Sequence, residues 1–187
     1  MTDSREPKSE RHTRRERIDP LLAAAGWTVV PADPRRPAGG HKAHALTEFP
    51  TENGPADYAL AADGRVLGIV EAKKVSLSPQ GVLTQAERYA RGVPDSPLDF
   101  DRIRAPFLYS TNGEVVRFRD ARPELNVARK LSGFHTPSAL RKMLSRDFDD
   151  SCAWFERNPN EHPRLRPCQI DANAATEAAI AARRFAI

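Results

Sequence analysis

The spacing of hydrophobic residues changes period several times along the chain, and each change marks an element. From Arg11 to Ala25 the run RHTRRERIDPLLAAA has helix-forming composition and places Ile18, Leu21, Leu22 and Ala25 on one face. Pro20 falls inside that run, where a ring without an N–H kinks or divides a helix, and Gly26 ends it. Trp27 to Val30 then reads as a short strand. The following PADPRRPAGGHKAH has no period and is rich in Pro and Gly, so it reads as a loop carrying His41 and His44. Exposed loop histidines are the plain reading of that pair, and a metal pair is the sharper one.

The strongest pattern lies between Asp57 and Lys73. Asp57 to Ala61, the turn signal Asp63-Gly64, and Val66 to Lys73 together read as a β-hairpin. Alternation along the second strand puts Leu67, Ile69, Glu71 and Lys73 on one face and Lys74 on the other. A three-residue loop, Asp63-Gly64-Arg65, pairs Ala62 with Val66 and sets Asp57 across from Glu71, with β-carbons about 5 Å apart. A two-residue loop shifts that register by one.

Ser78-Pro79 supplies an N-cap and a first-turn proline for a helix that runs to Arg91, where Gly92 stops it. Gln85 and Tyr89 are four apart and share a face of it. A strand over Pro106 to Ser110 leads through Asn112-Gly113 into a second over Glu114 to Phe118. A helix starts near Thr136-Pro137 and runs through Leu140, Met143 and Leu144, and an alanine-rich helix covers Asp171 to Arg184. There is no internal repeat.

A length of 187 residues fits one main domain, and 40% hydrophobic with 29% charged residues fits a soluble globular chain. No stretch has the length and apolarity to cross a bilayer, and the polar start lacks the apolar segment of a secretory signal, so the expected compartment is the cytoplasm. Residues 1–10 read as a disordered lead-in. A net charge of +4 suits nucleic acid and an ordinary solvated surface equally well. Cys152 and Cys168 lack the paired spacing of a zinc site or disulfide framework and read as buried or incidental thiols.

The hairpin carries the chemistry. Cleaving a phosphodiester with a hard cation takes oxygen ligands, an attacking water and positive charge for the pentacovalent phosphate. Asp57 and Glu71 are the expected ligands for Mg²⁺, with Mn²⁺ as a substitute, and the Ala72 carbonyl is a third oxygen. Lys73 would orient the water or stabilise the phosphate. The bland reading is a strand that happens to end in Glu-Ala-Lys-Lys.

Asp57, Glu71-Ala72-Lys73 and the Gln85 and Tyr89 pair resemble the PD-(D/E)xK nuclease core, in the form found at the N-terminus of type I restriction enzyme R subunits. The likeness includes IDPLL followed by GW, then ADYAL, EAKK, QAERYA and YSTNGE, and spans about Arg14 to His135. It implies an α/β restriction-endonuclease-like core, with a central mixed sheet flanked by helices. It also implies Mg²⁺-dependent cleavage of double-stranded DNA, within a complex that includes modification and specificity subunits. Gln85 and Tyr89 would then help position the active site or the DNA, the plain alternative being helix packing. Two departures matter. The first motif is Pro55-Ala56-Asp57 rather than Pro-Asp, and the further acidic ligand that many such nucleases take from the first helix is either Glu10 or Glu16.

Leu165 to Ile170 resembles the start of a superfamily 2 helicase motor, whose glutamine, here Gln169, contacts adenine; Cys168 stands where an aromatic residue is usual. No G-x-x-x-x-G-K-[ST] loop is present, so ATP is expected only in a full-length subunit of which this chain is a fragment. The expected organisation is a nuclease domain over residues 11–150 and a linker with the beginning of a motor domain over 151–187. The rival readings are a non-cleaving DNA or partner-binding module on the same fold, and a repair or mobile-element nuclease of the same superfamily.

Overall fold

Pro20 divides the first helical segment in the computed structural model of the protein, which describes residues 14–33, 40–73, 82–122, 127–146, 148–159 and 162–181. Arg14–Ile18 forms a π-helical turn, and α1 (Asp19–Ala24) begins afresh with Pro20 in its first turn, where a missing N–H costs nothing. Gly26, at φ 87°, ends it. The expected lead-in, Glu10, Lys74 and the Ser78-Pro79 helix start lie outside the described residues.

Among the described residues seven strands follow in a single mixed sheet whose spatial order is the chain order: β1 (Thr28–Pro31), β2 (His44–Thr51), β3 (Gly54–Ala62), β4 (Arg65–Ala72), β5 (Phe107–Thr111), β6 (Val116–Asp120) and β7 (Arg129–Leu131). The β1–β2 and β4–β5 pairs are parallel and the rest antiparallel. Helix α2 (Val82–Arg91) connects the parallel strands β4 and β5, as a parallel pairing requires a crossover. The remaining helices are α3 (Pro137–Leu144), α4 (Phe148–Arg157) and α5 (Pro167–Ala181). Contacts divide the chain into two compact units, Met1–Arg141 and Lys142–Ile187.

Strand β2 begins at His44, the last residue of the expected loop, and fills a stretch for which no element was expected. Glu48 and Pro50 interrupt the alternation of HALTEFPT, which hides the strand in the sequence, and Glu48 adopts φ 52° where the ladder passes from the Thr47–Tyr58 pair to Phe49–Ala56. His44 therefore begins a strand, and His41 is buried rather than exposed, their rings meeting edge to face at 4.7 Å. Among the described residues no group of three or more metal-ligating side chains gathers, there or elsewhere. Strand β7, three residues long with Arg129 and Lys130 exposed, and helix α4 are further elements absent from the sequence-based expectation. Cys168 is an exposed thiol, not a buried one.

The β3–β4 hairpin reaches the expected register by another route. Its turn has two residues, Asp63-Gly64, with Ala62 paired to Arg65 and Ala61 to Val66. A bulge then inserts Leu67 without a partner, and Leu60 pairs with Gly68, Ala59 with Ile69 and Tyr58 with Val70. The one-residue shift of the short turn is thus cancelled; the ladder ends at the Tyr58–Val70 pair, and Asp57 and Glu71 are the residues that follow it on the two strands.

Two apolar layers flank the sheet. On one face Leu83, Ala86, Tyr89 and Ala90 of α2 pack against Ala59, Ile69 and Leu108. On the other, Tyr109 touches Phe118 and Phe134, and the Tyr109 hydroxyl meets His135 Nδ1 at 2.8 Å. Trp27 Nε1 donates to the His135 carbonyl at 2.9 Å, tying the loop before α3 to the start of β1. Gly68 has no room for a side chain, because an added β-carbon would lie 2.6 Å from the Phe107 carbonyl oxygen.

Two outcomes follow from this packing. Gly68→Ala should lower unfolding stability by about 1–3 kcal/mol, since backbone must move to admit the methyl, and urea denaturation measures it. Burial, and next the Arg129 charge, lower the His135 pKa below its ordinary 6.5, so the unfolded chain binds that proton more readily than the folded one. The stabilisation is therefore complete above about pH 6.5 and lost as pH falls through the folded pKa. Urea midpoints should drop from pH 7.5 to about pH 5, and His135→Gln should flatten that part of the dependence.

Candidate active site

The site forms where β3 and β4 approach their ends beside α2. Asp57 comes from β3, Glu71 and Ala72 from the end of β4, Lys73 from the residue after it, and Gln85 and Tyr89 from α2. The five side chains singled out from the sequence converge in one region. Lys73 Nζ donates to Glu71 Oε1 at 2.9 Å and to Gln85 Oε1 at 2.8 Å, while Gln85 Nε2 donates to Tyr89 Oη at 3.0 Å. The amide of Gln85 is thus held at both ends, its carbonyl aimed at the ammonium and its NH₂ at the phenol. The Lys73 backbone is fixed as well, its N–H donating to the Thr111 carbonyl at 2.8 Å and extending the parallel ladder by one residue.

Asp57 is tied differently. Its Oδ2 accepts from the Ala72 N–H at 2.7 Å, a link between the two strands made by a side chain rather than the backbone. Its Oδ1 accepts from Arg14 Nη1 at 2.9 Å. Arg14, buried although charged, also donates through Nη2 to Glu48 and lies over the Tyr58 ring at 6.0 Å. Tyr58 donates to Asp19 Oδ1 at 2.7 Å, and burial together with that carboxylate pushes its pKa up. A cavity of about 220 Å³ opens beside this cluster, lined by Arg14, Arg15, Asp19, Thr47, Glu48 and Tyr58.

Glu71 is the unusual group. Its side chain is 5% exposed, Oε1 is taken by Lys73, and Oε2 is buried with no hydrogen-bond partner. Burial first, and then the nearby negative charge of Asp57, push its pKa up to about 7 in spite of the Lys73 ammonium. A buried carboxylate oxygen without a donor is costly, and the deficit is what a cation would satisfy. The donor set matches a hard ion, since Asp57 and Glu71 both offer carboxylate oxygens.

Sequence reading missed two members of the cluster. In the sequence Arg14 is one of several basic residues in a helical run, and Glu48 lies in a segment with no clear alternation. Only folding brings residues 34 and 43 positions apart, Arg14 with Glu48 and Arg14 with Asp57, into contact. Of the two first-helix acids left open, Glu16 lies exposed on the π-helical turn. Gln169 lies in the second unit, where its side-chain oxygen accepts from the Arg166 N–H at 2.9 Å and caps the start of α5.

Comparison with known proteins agrees with this architecture. A family model described as the second domain of the type I restriction enzyme EcoKI endonuclease subunit matches residues 32–144. The type I restriction enzyme EcoKI endonuclease subunit of Escherichia coli (strain K12) is 28% identical over 213 residues, covering 87% of this chain and 18% of that protein. A solved fragment assigned to an HsdR subunit of a type I restriction enzyme from Vibrio vulnificus YJ016 shares the fold, with a TM-score of 0.52 at 24% identity, over 91% of this chain and 32% of that one. The chain therefore spans less than a fifth of the curated relative's length. With the seven-stranded mixed sheet, its flanking helices and a family match over most of that sheet, the chain belongs to the type I restriction enzyme endonuclease subunit family.

Proposed function

We propose that this chain is the nuclease part of a type I restriction enzyme R subunit and hydrolyses phosphodiester bonds of double-stranded DNA with Mg²⁺. The observation that carries the reading is the buried, unpartnered Glu71 Oε2 set beside Asp57 and Lys73. Asp57, Glu71 and the Ala72 carbonyl would hold the ion, which when bound supplies a Lewis acid for the phosphoryl oxygen and an acidified water.

The rest is the work of this chain's own groups. Lys73 presents an ammonium at the mouth of the site, positioned to orient the attacking water or to offset charge growing on the phosphoryl oxygens. Gln85 holds that ammonium in place, and Tyr89 holds Gln85, so the two α2 residues act through Lys73 and not on the substrate. Arg14 neutralises Asp57 and Glu48 while the carboxylates lack a cation. In the assembled enzyme, modification and specificity subunits would be partners, and ATP would belong to a motor beyond this chain, with Gln169 at its threshold. No helix among the described residues is long and apolar enough to cross a membrane, which suits a cytoplasmic complex.

Plasmid nicking by the full-length subunit in its complex tests the reading. Asp57→Ala and Lys73→Ala should each lower the rate by about 100-fold or more, and EDTA should abolish it; cleavage retained in either variant rules out the site. Tyr89→Phe removes the acceptor for Gln85 and should lower kcat by about 10-fold without changing which metal supports activity, as a supporting residue does.

A further inference from the structure

Strand pairing aligns one row of side chains across the sheet: Glu71 pairs with Ser110, Ser110 with Arg117, and Arg117 with Lys130. Paired residues project from the same face, so Arg117 and Lys130 stand on the side of the sheet that carries Glu71 and α2. The neighbouring row confirms that face, because Arg119, two residues along β6, reaches Glu87 of α2 at 3.1 Å. Two strand spacings separate Glu71 from Arg117, about 10 Å, and the residue between them is the small, buried Ser110.

Arg117 differs from the arginines around it. Arg119 and Arg91 share Glu87, Arg122 pairs with Asp120, and Arg104 pairs with Glu52. Arg117 is half-buried and, among the described residues, makes no ion pair; its Nε, like that of Arg119, is buried without an acceptor. A partly desolvated guanidinium lacking a carboxylate is costly to keep, and its fork of N–H groups is shaped to donate side by side to two oxygens of an oxyanion such as a phosphate. Lys130 is exposed beside it and likewise has no ion pair among the described residues.

We infer that Arg117 and Lys130 form a phosphate subsite that grips the DNA strand one step away from the phosphate held at Asp57, Glu71 and Lys73. The row would lay the strand across β4, β5, β6 and β7, with the cutting centre at one end and the cationic grip at the other. This subsite rests on the nuclease reading for its substrate. It adds the path of the strand, and it makes Arg117 a positioning residue rather than a catalytic one.

The test is fluorescence anisotropy of a labelled DNA duplex with the full chain in Ca²⁺, titrated with salt, alongside nicking by the full-length subunit in its complex. Arg117→Gln should weaken duplex binding about 5- to 10-fold at every sequence and reduce the slope of log affinity against log salt by about one, with the loss appearing in KM more than in kcat. Arg117→Lys should recover part of the affinity, Lys130→Ala at its exposed position should show the same change of slope, and Arg65→Ala on the distant hairpin turn should change nothing. Wild-type affinity and slope in both Arg117→Gln and Lys130→Ala would overturn the subsite, even if Lys73→Ala stops cleavage. Binding that depends on Arg117 in a complex that never nicks DNA would instead overturn the nuclease reading and leave an anion subsite standing. Melting temperatures of the variants close to wild type separate lost contacts from lost folding.

Discussion

Two carboxylates brought close together at a poorly hydrated strand end repel each other, and much of the surrounding structure answers that repulsion. Asp57 is neutralised by Arg14 and by the Ala72 N–H, whereas Glu71 is hydrogen-bonded by Lys73 and among the described residues keeps one oxygen without a donor. The asymmetry explains why Glu71 is the group whose pKa rises, to about 7. Burial and a like charge both oppose its ionisation, and one shared ammonium does not offset them. A site built this way is incomplete as a set of protein charges, which is the feature the proposed cation would answer.

The cost of holding that arrangement is spread over the fold. A bulge at Leu67 sets the register, Gly68 lets β4 approach β5 closely, and the Gln85 to Tyr89 link fastens Lys73 to the core helix. On the far face, the Trp27, Tyr109 and His135 contacts lock the sheet against its second layer. Those contacts involve no residue of the site. Their role is to keep the strand ends rigid, so that groups drawn from β3, β4 and α2 stay within hydrogen-bond distance of one another.

Basic residues around the sheet divide by what they answer. Most of them neutralise an acid of the chain itself, and the net charge of +4 gives little hint of which do not. Arg14 serves the carboxylate cluster, Arg119 and Arg91 serve α2, and Arg117 makes no ion pair among the described residues. The distinction is what the proposed phosphate subsite rests on, since composition alone suits nucleic acid and a solvated surface equally well.

By itself the sequence determined what is local. The alternation of β3 and β4, the spacing of Gln85 and Tyr89 on one helical turn, and the acid–lysine grouping at Glu71 to Lys73 follow from side-chain period and chemistry within a few residues. It also pointed to the meeting of Asp57 with Glu71, but through a three-residue loop, because a bulge depends on how the strand packs against neighbours and not on its own period. Tertiary structure decided the rest. Arg14 and Glu48 join the site from distant segments, His41 is buried, β2 forms over a stretch that carried no assigned element beyond His44, and Arg117 lines up with Glu71 only after three strands have paired. These are long-range pairings, fixed by sheet register and burial, and no local pattern of residues encodes them.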